Sequence, residues 1–161
     1  MGTILGLCRS LDETAFAAGE TLLAEGGSTG LLYVLIEGEV EILKGDFRVD
    51  TVAEPGAIFG EISALIGIPH MATVRAIAPT RVYRVERAVE FFAESPEVAL
   101  EVARLLAARL NSVTNYLVDV KRQFEGHQGH LGIVDEVLET IVHQQRQPFT
   151  PGSNRIPDPE M

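Results

Sequence analysis

The sequence predicts a mainly β domain, a sandwich or barrel, followed by helices. Three observations carry that reading. Glycine punctuates the stretch from about 14 to 85 every few residues, at Gly19, Gly26, Gly27, Gly30, Gly38, Gly45, Gly56, Gly60 and Gly67. Between the glycines lie short runs rich in β-branched, aromatic and other apolar residues, the mark of strands joined by turns. Beyond Pro96 the apolar spacing changes from alternation to the helical period.

The clearest strand is Leu31-Leu32-Tyr33-Val34-Leu35-Ile36. It turns at Glu37-Gly38 into Glu39-Val40-Glu41-Ile42-Leu43, where Val40 and Ile42 face one way and Glu39 and Glu41 the other. Phe47, Val49 and Thr51 alternate in the same manner, and further strands are expected over Met71 to Ala76 and Arg81 to Val85. Gly60 to Ile66 interrupts the series: Ile62, Leu65 and Ile66 are at helical spacing, so one or two helical turns are expected between strands. Ser95 and Pro96 suit an N-cap and a first helical position. Leu106, Leu110, Val113, Leu117, Val120 and Phe124 follow at intervals of 4, 3, 4, 3 and 4, a heptad seam. Gly126 and Gly129 end it. A shorter amphipathic stretch runs from Leu131 to about Gln145, with Leu131, Val134, Leu138 and Ile141 on one stripe. The expected organisation is a domain over 1–125 that includes the long helix, an extra helical segment over 126–147, and a flexible proline-rich tail over 148–161.

Bulk properties exclude several classes. The chain has 161 residues, enough for one domain with a core that needs no staples. Its single cysteine, Cys8, rules out an internal disulfide framework and reads as a small apolar residue. No basic stretch followed by an apolar run marks the N-terminus, and no apolar run is long enough to cross a bilayer, so the cytoplasm is the expected location and no membrane partner is expected. The net charge of −10 repels phosphate backbones, so DNA is not an expected partner. The residues after Glu125 offer one helix and few basic side chains, short of a helix-turn-helix. His127-x-x-His130 and His143 lack thiolate or carboxylate partners at zinc spacing, and neither a Gly-x-Ser-x-Gly turn nor a phosphate loop of the Walker type occurs. No enzyme activity, metal or cofactor is expected.

The stretch that carries chemistry is Phe59-Gly60-Glu61-Ile62-Ser63-Ala64-Leu65-Ile66-Gly67-Ile68-Pro69-His70-Met71-Ala72-Thr73-Val74-Arg75-Ala76. A glycine feeding a short helix admits close approach of a ligand, and the first helical N–H groups lack internal partners. Glu61 beside them adds a carboxylate acceptor, and a sugar phosphate presents both the anion and the hydroxyl donor that this pair suits. The alternative is a plain turn with an acid favoured by the helix dipole.

This stretch resembles the phosphate-binding cassette of the cyclic-nucleotide-binding domain family, whose members include catabolite activator proteins and regulatory subunits of cyclic-AMP-dependent protein kinase. The matching residues are Phe59-Gly60-Glu61, Gly67, Pro69, Ala72, Thr73, Val74 and Ala76. Phe16-Ala17-Ala18-Gly19-Glu20-Thr21-Leu22 resembles the family's opening strands, and Leu32 to Val40 its central hairpin. The resemblance covers about 11 to 125. It implies an eight-stranded jelly roll (a double-stranded β-helix) flanked by helices, with a long C-terminal helix and a further short one. It also implies a ligand, cyclic AMP before cyclic GMP. Glu61 would accept from the ribose 2′-hydroxyl, and the N–H groups of Gly60, Glu61 and Ile62 would meet the cyclic phosphate. Phe59, Ser63, His70, Met71, Ala72 and Val74 complete the expected pocket, and Thr114 and Asn115 lie where members contact the base.

One departure bears on all of this. The family's phosphate-binding arginine aligns with His70. Arginine brings a permanent charge and a planar fork. Losing a charge-assisted bond of about 1.5–3 kcal/mol weakens binding by roughly 10- to 150-fold. Alternation along the strand turns Arg75 away, so it does not replace the lost charge. Either His70 is a weak phosphate partner, protonated as the anion binds, with affinity rising from pH 7.5 to 5.5, or the domain no longer binds nucleotide and serves as a dimerisation or protein-interaction module. The seam from Leu106 to Phe124 would join two copies, engage an unknown effector, or pack on the jelly roll.

Overall fold

The computed structural model of the protein describes residues 3–123 and 131–143. The chain divides into two compact units, residues 1–103 and 104–161.

The first unit holds eight strands: β1 (Asp12–Phe16), β2 (Thr21–Leu23), β3 (Leu32–Glu37), β4 (Val40–Lys44), β5 (Phe47–Val52), β6 (Ile58–Phe59), β7 (Thr73–Ala76) and β8 (Thr80–Val85). One sheet has the order β1-β8-β3-β6 and the other β2-β7-β4-β5. All described pairings are antiparallel. In each of the pairs β1–β8, β2–β7, β3–β6 and β4–β5 the strand numbers sum to nine. One long hairpin has thus been folded over on itself, which is the jelly roll.

The core lies between the sheets. Leu22, Leu23, Val40, Val74 and Ala76 from one meet Tyr33, Leu35, Phe59 and Val82 from the other. Phe16 adds an edge-to-face contact with Tyr33 at 5.7 Å between ring centroids, a favoured aromatic geometry. The hairpin from β3 to β4 turns at Gly38. Its φ is +110°, and a Cβ there would lie 2.5 Å from the Thr80 hydroxyl oxygen. Only glycine lets the two sheets close at this corner.

Four helices belong wholly or partly to this unit: α1 (Ile4–Leu7), α2 (Glu61–Ile66), α3 (Ala88–Glu94) and the start of α4 (Pro96–Gln123). Val98 and Val102, one turn apart on α4, are buried. The second unit holds the rest of α4 and α5 (Leu131–His143). Lys121 of α4 and Asp135 of α5 form an ion pair there. The expected end of the long helix near Glu125, the glycines at 126 and 129, His127, His130 and the tail over 148–161 lie outside the described residues.

Several expectations shift. The strand expected from Met71 begins at Thr73, and α3 was not foreseen. Glu41, read from alternation only as facing away from Val40 and Ile42, is buried at 4% exposure. Its neighbours explain this: Arg75, opposite it on β7, donates to Oε1 at 2.6 Å, and Arg48 of β5 donates to Oε2 at 3.1 Å. The alternation of Phe47, Val49 and Thr51 confers no burial. All three are exposed because β5 is at the edge of its sheet. No helix among the described residues is long and apolar enough to cross a membrane.

Candidate functional site

The site is built where β6 runs out. This strand is only two residues long, paired with β3 through Ile58 and Phe59, and it delivers the chain to Gly60. Gly60 adopts φ +93° and ψ −2° as the N-cap of α2. A Cβ there would be 2.3 Å from the Leu31 carbonyl oxygen, so no other residue fits. Helix α2 closes on Gly67, also left-handed, whose N–H donates to the Ser63 carbonyl. The glycines at both ends confine α2 to fewer than two turns, as the sequence predicts.

Glu61 occupies the first turn of α2 and is buried at 4% exposure. Ile62 and Ser63 are half-buried beside it. Phe59 and Val74 belong to the core between the sheets, so their side chains support the site from beneath. Ala72 is half-buried. Met71 is exposed, and its carbonyl accepts from Lys44 Nζ at 2.6 Å. Lys44 also pairs with Glu25 at 3.1 Å. The Glu25 carboxylate in turn accepts the Gly45 N–H, which with Lys44 holds its pKa below the usual range. This clasp ties the β4–β5 turn to Met71 within the cassette and to Glu25 ahead of the glycine-rich loop. Thr114 and Asn115 lie on α4 in the second unit: the Thr114 hydroxyl donates to the Leu110 carbonyl at 2.8 Å, and Asn115 is exposed.

His70 is buried at 5% exposure, and both of its ring nitrogens are engaged. Nδ1 lies 2.8 Å from Ser63 Oγ and Nε2 lies 2.8 Å from Thr29 Oγ1. Its main chain is tied to the same loop: His70 N–H donates to the Gly27 carbonyl, and Gly26 N–H donates to the His70 carbonyl. Burial pushes its pKa below the ordinary imidazole value, because the charged form loses hydration. This geometry opposes the expected protonation of His70 between pH 7.5 and 5.5. Arg75, which strand alternation turns away from the site, is committed to Glu41 and holds that carboxyl below the usual range.

Thr29 is the residue the sequence reading missed. It sits in the run Gly26-Gly27-Ser28-Thr29-Gly30, which reads only as a turn. A cavity of about 460 Å³ adjoins it, bounded by residues 28–30, by Ser63, Ala64, Gly67 and Ile68, and by residues 86–90 leading into α3. Of the residues the sequence nominates, Ser63 alone lines it. The cavity therefore meets α2 through Ser63 and Ala64 and not through Gly60 or Glu61. No cluster of metal-ligating side chains occurs among the described residues. Cys8 is buried and its thiol is pushed up to about 11, in keeping with a packing role.

Known proteins share the sequence pattern and the fold of this chain. The sequence profile of the cyclic nucleotide-binding domain matches residues 13–92. A CRP-like cAMP-activated global transcriptional regulator of Mycobacterium tuberculosis is 30% identical over 123 residues, covering 73% of this chain and 55% of that protein. The chain thus spans about half the length of the curated relatives it first matches. The catabolite activator protein of Thermus thermophilus shares the fold with a TM-score of 0.62 at 23% identity, over 71% of this chain and 57% of that one. A cyclic nucleotide-binding domain from Methylobacillus flagellatus does so with a TM-score of 0.56 at 23% identity, over 72% and 81% of the two chains. Through residues 13–92, which contain the jelly roll and the cassette at Gly60 and Glu61, the chain belongs to the cyclic nucleotide-binding domain family.

Proposed function

We propose that this chain is a regulatory domain that binds a cyclic nucleotide, cyclic AMP before cyclic GMP, and passes the signal on through α4. The observation that carries this reading is the pair Gly60 and Glu61: a backbone corner that admits no side chain, followed by a buried carboxylate on the first turn of α2. Glu61 would accept from the ribose 2′-hydroxyl, and the N–H groups of Gly60, Glu61 and Ile62 would meet the cyclic phosphate. Ser63, Met71 and Ala72 would line the pocket, with Phe59 and Val74 supporting it. The relative from M. tuberculosis is described as cAMP-activated, which favours the adenine nucleotide. The role is regulatory and not enzymatic.

His70 favours a second reading. A neutral ring saturated by two hydroxyls brings no charge to a phosphate, so the domain would instead act as a dimerisation or protein-interaction module. On α4, Leu110 and Val113 are 49% and 51% exposed, while Leu106, Leu117 and Val120 are half-buried; Phe124 lies outside the described residues. That stripe would join two copies or receive an effector under either reading. Calorimetric titration with cyclic AMP and cyclic GMP separates the two. Saturable heat, larger for cyclic AMP and strengthened by His70→Arg, is the expected result. Silence from both nucleotides, in the native chain and in His70→Arg, would leave the interaction module.

A further inference from the structure

We propose that His70 is a positioning residue: a neutral imidazole carrying its proton on Nδ1, which braces α2 against the loop ahead of β3. The bracing is a one-directional relay of hydrogen bonds. Leu31 N–H donates to Thr29 Oγ1 at 3.2 Å. Thr29 Oγ1 meets His70 Nε2 at 2.8 Å, His70 Nδ1 meets Ser63 Oγ at 2.8 Å, and Ser63 Oγ donates to the Gly60 carbonyl at 3.2 Å. The direction follows from counting hydrogens. Ser63 has one hydroxyl hydrogen and places it on Gly60, so Ser63 accepts from the ring and Nδ1 bears the proton. A neutral ring with its proton on Nδ1 has a bare Nε2, so Thr29, which accepts from Leu31, donates its own hydrogen to that lone pair. Every donor in the relay then has an acceptor.

The two ends of the relay already touch, since the Leu31 carbonyl occupies the space where Gly60 would carry a side chain. The strut therefore closes a ring: Leu31, Thr29, His70, Ser63, Gly60 and back to Leu31. Adding a proton to Nε2 breaks it. Thr29 would have to accept from both the ring and Leu31, and its hydroxyl hydrogen would lose its acceptor. The loop 26–31 contains no charged residue. The charged groups on the surrounding elements are Glu61 on α2, Glu25 ahead of the loop, Lys44 on β4, and Glu86, Arg87 and Glu90 across the cavity. Glu25 and Lys44 pair with each other, and Arg87 pairs with Glu90 at 3.4 Å. Burial of the ring disfavours the charged form in the same direction.

The inference does not depend on whether the site takes a nucleotide, and it is tested on the full chain. Long-range ¹H–¹⁵N spectra at pH 7.5 should show the His70 ring with a protonated Nδ1 and a bare Nε2. The opposite tautomer, or an imidazolium at pH 7.5, would overturn it. Hydrogen exchange supplies a second readout. In His70→Leu the amides of residues 62–66 should exchange at least about 10-fold faster, from the loss of both ring hydrogen bonds, while β3 and β4 keep their protection. In Thr29→Val, which alters one end only and leaves the ring in place, the same amides should loosen to a lesser degree. Corrected for intrinsic rates, acidification below the ordinary imidazole value of 6.5 should loosen residues 62–66 in the native chain, because only the opened site takes up the proton, but not in His70→Leu. A uniform loss of protection across the sheets, or unchanged exchange in both variants, would refute the strut.

Discussion

Glu41 and His70 are equally buried, at 4% and 5% exposure, yet the protein treats them in opposite ways. Glu41 keeps its charge. Two guanidinium groups, from Arg75 and Arg48, supply charge-assisted bonds on either side and lower its pKa. His70 gives up its charge and is satisfied by two neutral hydroxyls. The difference lies in the surroundings. Glu41 is on the outer side of a sheet, where long arginine side chains reach it from the neighbouring strands while their own heads stay in water. His70 is held between a glycine-rich loop and a six-residue helix, and its ring partners, Thr29 and Ser63, are short hydroxyl side chains. Burial selects for satisfaction of polar groups, and the nearest partners decide whether that satisfaction is ionic or neutral.

The comparison is most severely tested at Gly60, the corner to which the His70 relay is anchored. Gly60→Ala combines a left-handed φ with a 2.3 Å approach to the Leu31 carbonyl. Denaturant unfolding should show a loss of about 3 kcal/mol. A loss under about 1 kcal/mol would mean that the corner rearranges freely and the frame is soft. A smaller effect should appear in the pH dependence of stability. Both groups have lowered pKa values, so in both cases the unfolded chain binds protons at a higher pH than the folded one, and stability falls with acid. The windows differ: His70 acts below its ordinary value of 6.5, and Glu41 acts below 4.5. The unfolding midpoint should therefore decline in two legs as the pH is lowered. His70→Gln should remove the upper leg and Glu41→Gln the lower one; a single leg that survives both substitutions would contradict the pairing of roles. The smallest effect is the difference between the two arms of the clamp. Arg75→Ala should lower the unfolding midpoint at pH 7 more than Arg48→Ala, because the Arg75 bond is shorter and is the largest cause of the Glu41 shift. The reverse order would place the weight of the clamp on the edge strand.

The parts of the molecule that sequence makes legible are those governed by local rules. The β3–β4 hairpin follows from alternation around Gly38, and α2 from Ile62, Leu65 and Ile66 between two glycines. The long helix follows from Pro96 and the seam beyond it. Helix α3 escaped because its seven residues, Ala88-Val89-Glu90-Phe91-Phe92-Ala93-Glu94, are too few to establish a period. Its N-cap is Arg87, which makes no side-chain cap bond. Glu41 escaped because alternation gives the face of a strand and not what covers it; Arg75 lies 34 residues away. At the site, Gly60 and Glu61 were legible as a motif, and His70 as a departure from it. Its engagement was not, because Thr29 is 41 residues distant and in a loop without pattern.

The doubled-over hairpin has a consequence for how the domain comes into being. β4 and β5 are joined by the two residues Gly45 and Asp46 and can meet as soon as they are synthesised. β1 must wait for β8, with Asp12 opposite Arg84. Each successive rung spans a longer stretch of chain, so closure grows entropically costlier from the centre outward. On the ribosome the sheets would zip from the β4–β5 hairpin outward, and the first strand, which pairs with β8, would be the last to find its place.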